Sequence, residues 1–242
     1  MPQAAFLRMA QRGRIFHIVA VAVFVTATLL MAFRGHPAGS GDPGRLLDAY
    51  LMPQTPLMWT LMIAVITMVI LDCAASWFER QPAELAVQGQ DGRISAPLSA
   101  GMAVAAVAIM MREVSLGWCA IGLAVGTILV LRATRQAAGH RRPAVGFLAG
   151  WLSALAMAGG AGVTGAVLTL PIVAIAALAI LPTAALGAGA QLWIGAGFAY
   201  SAAMIWAFCA LAIASMAQDP IIAILATLGI AVMVTSLIRA AS

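Results

Sequence analysis

The sequence predicts an all-α, polytopic integral membrane helix bundle with about eight spans, or seven as the alternative, and a cytoplasmic N-terminus. Two observations predict this class. Of the 242 residues, 63% are apolar and only 9% are charged, whereas a water-soluble domain carries roughly a quarter charged residues. The apolar residues also form long runs, and about 20 such residues suffice for a helix to cross the hydrocarbon core.

The first half of the chain is predicted to hold a basic cytoplasmic arm, residues 1–14, and a first membrane half, residues 15–132. Glycines and prolines predict a loop over 34–56, with one helical turn around Leu46–Leu51. The polar stretch 79–95 contains a predicted turn at Gln90–Gly92. Four spans are predicted, at about 15–33, 57–78, 96–111 and 115–132.

The second half follows an Arg-rich cytoplasmic linker, residues 133–143, and covers residues 144–242. As one helix, Ala184–Met216 would be about 50 Å long, too long for a core of about 30 Å, so we expect a break in it. The cluster Gly159–Gly165 predicts a turn or unwound point that separates two further spans. The last span is predicted to begin at Asp219–Pro220, where proline suits the first helical position.

The arginines predict the orientation of the spans. All thirteen basic residues are arginines, and cytoplasmic loops of membrane proteins carry the excess of positive charge. With the N-terminus inside, three arginines lie outside: Arg34, Arg45 and Arg112. The other ten lie inside: Arg8, Arg12, Arg14, Arg80, Arg93, Arg132, Arg135, Arg141, Arg142 and Arg239. This asymmetry favours membrane topology over nucleic-acid binding as the reason for the net charge of +5.

Asp72 is the acidic residue that lies inside an apolar run. A charged group at the centre of a span costs about 2.5–3.5 kcal/mol on insertion scales, and an intramembrane carboxyl is a functional hypothesis by default. Asp72 is therefore a candidate for proton or cation coupling. The alternative is an interfacial or structural role, since Glu79 and Arg80 follow only about two helical turns later. Because no arginine lies centrally in a span, we also consider a protonated, neutral Asp72.

The sequence offers no pattern for a cofactor or a reaction. His17, His36 and His140 share no spacing that suits a metal or a haem, and no Gly-x-Ser-x-Gly motif is present. We therefore expect no metal, no cofactor and no enzymatic activity. The expected partners are the lipid bilayer, a small solute, and either further copies of the chain or partner membrane subunits. The expected location is the bacterial cytoplasmic (inner) membrane.

Glycines mark the candidate solute path. Gly122 with Gly126, and Gly146 with Gly150, have the four-residue spacing that lets helices approach closely. Interrupted apolar segments expose backbone groups that can bind a solute in transporters, while dense packing of small residues is the alternative. The candidates for the path are Gly159, Gly160, Thr164, Gly165, Pro171, Gly187 and Gln191.

The start of the second half resembles a known family. The run Ala144–Ser153, then Gly159, Gly160 and Gly165, Leu170–Pro171 and Leu181–Pro182 with Ala185 and Gly187 is similar to the second repeat of the TauE/SafE sulfite and organosulfonate exporters. The resemblance covers about 144–187; the first half does not match. It implies two inverted halves of about four spans each, with a broken helix near the permeation path.

These observations favour a transporter or permease for a small solute or anion, with a Gly-rich broken-helix site in the second half. A non-catalytic membrane subunit that anchors or assembles a larger complex is the alternative. An integral-membrane enzyme ranks third, because no catalytic constellation is visible.

Overall fold

The structure, a computed structural model, describes residues 3–34, 42–78, 90–137, 142–195 and 197–241. Within them it forms nine α-helices and one 3-10 turn at Met111–Glu113, with no β-strand. The helices are α1 Gln3–Arg34, α2 Arg45–Leu51, α3 Pro56–Phe78, α4 Gln90–Met110, α5 Leu116–Gln136, α6 Pro143–Leu168, α7 Ile172–Ile194, α8 Ala199–Ser215 and α9 Pro220–Ala241.

Local sequence signals explain several helix ends. Ser115 precedes α5, and its hydroxyl oxygen accepts a hydrogen bond from the backbone N–H of Trp118, as an N-cap residue does. Pro143 and Pro220 are the first residues of α6 and α9, where a missing N–H costs nothing. α6 ends at Leu168, and the next residue, Thr169, has a φ of 51°, in the left-handed region that commonly terminates helices.

Seven of the described helices are long and apolar enough to span a membrane, and α8, with 17 residues, is a shorter apolar helix. Large side chains on the outer faces are exposed, and a contiguous apolar surface of this extent marks a membrane contact. The protein is therefore a polytopic helical membrane bundle. Examples of these exposed side chains are Ile63, Val107, Ile128, Leu186 and Ile224.

α6 is the central helix of the bundle. In its apolar window 83% of the residues are buried, compared with 28–50% in the other six long helices. It packs against α2, α3, α5, α7 and α8. Small residues allow this contact on several sides: a methyl group at Gly150 would lie 2.6 Å from the carbonyl oxygen of Tyr200 on α8.

The helix order places the connections alternately at two ends of the bundle. We call the end that holds α2 the α2 end, and the end where α5 stops and α6 starts the linker end. Ion pairs that join distant segments agree with this: Arg45 contacts Asp219 just before α9 at the α2 end. At the linker end, Arg142 contacts Asp72 on the last third of α3.

The structure corrects the sequence-based boundaries in the second half. The cluster Gly159–Gly165 is neither turned nor unwound, because α6 continues through it to Leu168. The long apolar stretch 184–216 is broken as expected, between the end of α7 at Ile194 and the start of α8 at Ala199. The count of eight spans therefore stands only if the short α8 is included.

Two further boundaries differ in the first half. The helix that was expected from residue 15 already begins at Gln3, so the described part of the basic arm belongs to α1. The predicted turn at Gln90–Gly92 is wrong, since α4 begins there. The predicted helical turn at Leu46–Leu51 is confirmed as α2. Part of the predicted loop 34–56, most of the polar stretch 79–95 and residues 138–141 of the linker lie outside the described residues.

Candidate functional site

A cavity of about 540 Å³ opens at the α2 end of the bundle. Its volume falls within the roughly 300–1,000 Å³ that small-molecule sites occupy. Its polar lining comes from Arg45, Asp48, Gln54, Thr55, Gln218 and Asp219, and its apolar walls include Met52, Met58, Ile172, Leu211 and Ile222. The cavity therefore combines a few polar groups with apolar walls, at the junction of α2, α3, α7, α8 and α9.

Two ion pairs differ in strength at this cavity. Arg112 donates from Nε and Nη2 to the two carboxylate oxygens of Asp48, at 2.8 and 2.7 Å, and such bidentate pairs are among the strongest hydrogen-bonded contacts. Arg45 reaches Asp219 through one contact of 3.4 Å and also donates to the Gln218 side-chain oxygen. Arg45 is therefore the cation that an incoming anion could bind with the least disruption.

Burial affects the titration of Asp48, which lies on α2, outside the spans. Its side chain is 6% exposed. Burial raises the pKa of the Asp48 carboxyl, because desolvation disfavours the charged form, and the hydrogen bonds from Arg112 oppose that rise. The pair fastens α2 to the turn between α4 and α5, and so holds one wall of the cavity in place.

At the linker end, Asp72 is paired with an arginine. Arg142 donates from Nε and Nη2 to the two oxygens of Asp72, at 2.9 and 2.6 Å, and the side chain of Asp72 is 10% exposed. A neutral Asp72 was considered because no arginine lies centrally in a span. The structure nevertheless places Arg142 within hydrogen-bond distance of Asp72. Arg142 reaches it because it immediately precedes α6, while Asp72 lies only six residues before the end of α3.

His17 is buried beside this ion pair. Its Nδ1 lies 2.8 Å from the hydroxyl oxygen of Ser99 on α4, and Ser99 donates its own proton to the carbonyl oxygen of Ser95. Among the described residues, the Nε2 atom of His17 has no hydrogen-bond partner. Together with Asp72, His17 lines a second, small cavity of about 10 Å³.

The break between α7 and α8 is closed by a fully buried glutamine. Gln191 Nε2 donates to the carbonyl oxygens of Gly195 and Gly197, both at 2.8 Å, and its oxygen accepts from the Ser201 hydroxyl at 2.7 Å. Gly195 itself has a φ of +97°, a conformation that favours glycine. The side chain of Gln191 thus supplies partners for backbone groups that the broken helix leaves open.

The structure does not bring the seven predicted path residues together. Gly159, Gly160, Thr164 and Gly165 lie in the half of α6 nearest the α2 end, and Pro171 immediately precedes α7 at that end. Gly187 and Gln191 lie towards the linker end. The residues given above as lining the large cavity include none of the seven. Most make helix contacts instead, as Gly165 does against the side chain of Ile175. A methyl group at Gly160 would meet no atom within 4 Å.

The two small-residue pairs predicted to allow close packing lie at helix contacts. A methyl group at Gly122 would lie 2.6 Å from the Cβ of Ala108, and one at Gly126 would lie 3.0 Å from the carbonyl oxygen of Gly101. Both contacts join α5 to α4. Gly146 and Gly150 face α8 in the same way.

Apart from Asp72, sequence reasoning missed the polar residues that line the two cavities. Arg45 was interpreted only as an orientation signal and Asp219 only as the start of a helix. His17 was considered only as a metal or haem ligand, for which its spacing from the other histidines is unsuitable. The sequence feature that could have indicated these three residues is their position, since each is a polar residue at the margin of an apolar run. Among the described residues, no group of three or more metal-ligating side chains comes together.

Comparisons with protein-family models, with curated proteins and with solved structures find no match to this chain.

Proposed function

We propose that the protein is a transporter, without enzymatic activity, that moves a small polar solute with an anionic group across the bacterial cytoplasmic membrane. The cavity at the α2 end supports this proposal most strongly. It is large enough for a small solute, and it lies in a bundle whose remaining interior is mostly apolar.

The charge arrangement in the cavity favours an anionic group on the solute. Arg45 makes only a single 3.4 Å contact with Asp219, and the side chains are 28% and 23% exposed. Such a partly solvated ion pair contributes about 0–1 kcal/mol. A carboxylate, sulfonate or inorganic oxyanion could replace Asp219 as the partner of Arg45 at small cost, whereas the bidentate Arg112–Asp48 pair would resist exchange.

The apolar walls would then contact an uncharged part of the solute. Met52, Met58 and Leu211 line the same cavity, and methionine side chains adapt to ligands of different shape. The resemblance to the TauE/SafE exporters remains a prediction, and it makes sulfite and alkylsulfonates the first solutes to test. In this proposal, Asp72 and the linker end would control access from the opposite side of the membrane.

Ligand-induced stabilisation of the purified protein tests the site. A ligand that binds only the folded state stabilises it by about 2.7 kcal/mol at a concentration 100 times its Kd. We expect at least one anion, from a panel of oxyanions, alkylsulfonates and carboxylates, to raise the Tm of the wild type. Arg45→Gln should abolish that rise. Arg34→Gln is the matched control, because Arg34 is an exposed arginine at the same end that does not line the cavity.

Two results would contradict the proposed site. One is an equal rise in Tm for the wild type and Arg45→Gln. The other is a complete absence of stabilisation by the panel in the wild type. In the second case the alternative, a membrane subunit that assembles with other proteins, would gain support.

A further inference from the structure

The imidazole of His17 is held in one orientation and one tautomer. Because the Ser99 hydroxyl donates to the carbonyl oxygen of Ser95 at 2.7 Å, its oxygen is left to accept a hydrogen bond from His17 at 2.8 Å. A hydroxyl has only one proton to donate. This chain of hydrogen bonds therefore assigns the proton of neutral His17 to Nδ1 and leaves a lone pair on Nε2.

The unpartnered Nε2 is exceptional for its degree of burial. His17 is only 5% exposed, and nearly all buried side-chain polar atoms in folded proteins have a partner. The small cavity beside it, about 10 Å³, is at the lower limit for a single water molecule. A lone pair of imidazole in such a place is an acceptor for a proton.

The surroundings of His17 provide a counter-charge for that proton. The small cavity is bounded by His17 on α1, Asp72 on α3, Leu98 and Met102 on α4, and Ala144, Val145 and Leu148 on α6. Ser99 adds a neutral hydroxyl from α4. Within the described chain, the charged side chains that act on His17 are Asp72 and Arg142. Cys73 follows Asp72 on α3, and Arg14 lies one turn earlier than His17 on α1.

We propose that His17 is a proton-binding site that loosens the linker end when Nε2 is protonated. A proton from the aqueous phase binds the Nε2 lone pair, and the imidazole changes from neutral to a charge of +1. The new N–H donor and positive charge then compete with Arg142 for the carboxylate of Asp72. Since this carboxylate joins α3 to the start of α6, weaker pairing loosens the contact between these helices.

The role of this site in proton-coupled transport rests on the proposed function, but proton binding itself does not. Asp72 acts as the positioning partner, whereas His17 gains and loses the proton. Histidine suits this role, because its charge normally changes between about pH 5 and 8.

Nitrogen NMR of the full chain in lipid nanodiscs tests proton binding directly. With His36→Gln and His140→Gln, the only imidazole signals come from His17. We expect the neutral form to carry its proton on Nδ1, and a second N–H to appear on Nε2 as the pH falls from about 8 to 5. A neutral form protonated on Nε2, or no protonation in this range, would overturn the proposal. This readout needs no substitution of His17.

Accessibility of the small cavity tests the structural response. In a background with all three cysteines replaced by alanine, the alkylation rate of Ala144→Cys is compared with that of Ala75→Cys. Ala144 is 7% exposed and lines the cavity, whereas Ala75 is exposed on α3 and serves as the reference. Because both rates depend on ionisation of a thiol, their ratio removes the effect of pH that the two thiols share. We expect the ratio to rise about tenfold between pH 8 and 5.

His17→Gln should remove this rise, and His140→Gln should keep it. An unchanged ratio in the parent, or the same rise in His17→Gln, would overturn the proposal. These readouts do not depend on any solute. If they succeed while no solute is transported, the proposed transport function fails and the proton site stands.

Discussion

Asp72 and Arg142 are joined by two hydrogen bonds of 2.9 and 2.6 Å although 70 residues separate them in the chain. The contact connects the last third of α3 to the residue that precedes α6. Because α6 is the most buried of the long helices, this pair ties the peripheral helix α3 to the centre of the bundle. It also explains how an acidic residue is tolerated in an apolar span.

The Asp72–Arg142 pair should contribute measurably to stability. We expect Asp72→Asn to lower the free energy of unfolding by about 2 kcal/mol, less than the roughly 3–5 kcal/mol for a fully buried pair, because Arg142 keeps some contact with solvent. The double variant with Arg142→Gln should cost less than the sum of the two single changes. Unfolding titrations in mixed micelles measure both quantities.

Asp219→Asn serves as the control for that cycle, because its pair with Arg45 is longer and more exposed. Its cost should stay below about 1 kcal/mol. Additive effects of Asp72→Asn and Arg142→Gln would contradict a stabilising interaction between them.

Two glycines on α6 should respond in opposite ways to alanine. At Gly150 the new methyl group would lie 2.6 Å from the Tyr200 carbonyl oxygen and 2.8 Å from the Ala203 Cβ. Gly150→Ala should therefore push α6 and α8 apart and cost about 1–3 kcal/mol. At Gly160 nothing lies within 4 Å, so Gly160→Ala should be neutral or stabilising by up to about 1 kcal/mol.

The same unfolding titration compares the two variants within one helix. Equal destabilisation by Gly150→Ala and Gly160→Ala would show that backbone freedom at Gly160 matters. That result would restore the idea of a break in α6, which the continuous helix contradicts.

Labelling in intact cells tests the predicted orientation. In the cysteine-free background, Gln54→Cys should react with an impermeant maleimide from outside, because Gln54 is exposed at the α2 end. Arg135→Cys lies at the linker end and should react only after the membrane is permeabilised. Labelling of Arg135→Cys from outside, with protection of Gln54→Cys, would invert the topology that the arginine distribution predicts.

The sequence predicted those parts of the fold that depend on local length and composition. The helix α2, the start of α9 at Pro220 and a break within 184–216 all follow from chain breakers and from the thickness of the membrane. The turn predicted at the cluster Gly159–Gly165 is wrong, because glycines serve both to break helices and to let helices pack closely. On α6, Gly162 and Gly165 lie at close contacts: a methyl group at Gly162 would lie 2.7 Å from the carbonyl oxygen of Pro43, and one at Gly165 would meet the side chain of Ile175.

The candidate site could not be predicted in the same way, because it depends on contacts between distant segments. Arg45 and Asp219 are 174 residues apart, and His17 and Ser99 are 82 residues apart. Single residues such as Asp72 could be recognised from the cost of a charge in an apolar run. Their partners are determined by which helices pack together, and local periodicity carries no such information.

Solute flux into liposomes that contain the purified protein is the direct test of transport. Uptake of small anions, sulfite and alkylsulfonates first, is measured with and without a pH gradient, for the wild type, Arg45→Gln, the control Arg34→Gln and empty liposomes. We expect uptake by the wild type and by Arg34→Gln, and none by empty liposomes. Uptake by Arg45→Gln should be at least about tenfold lower, as expected if about 1.4 kcal/mol of binding is lost. Equal flux in wild-type and empty liposomes across the whole panel would contradict transport.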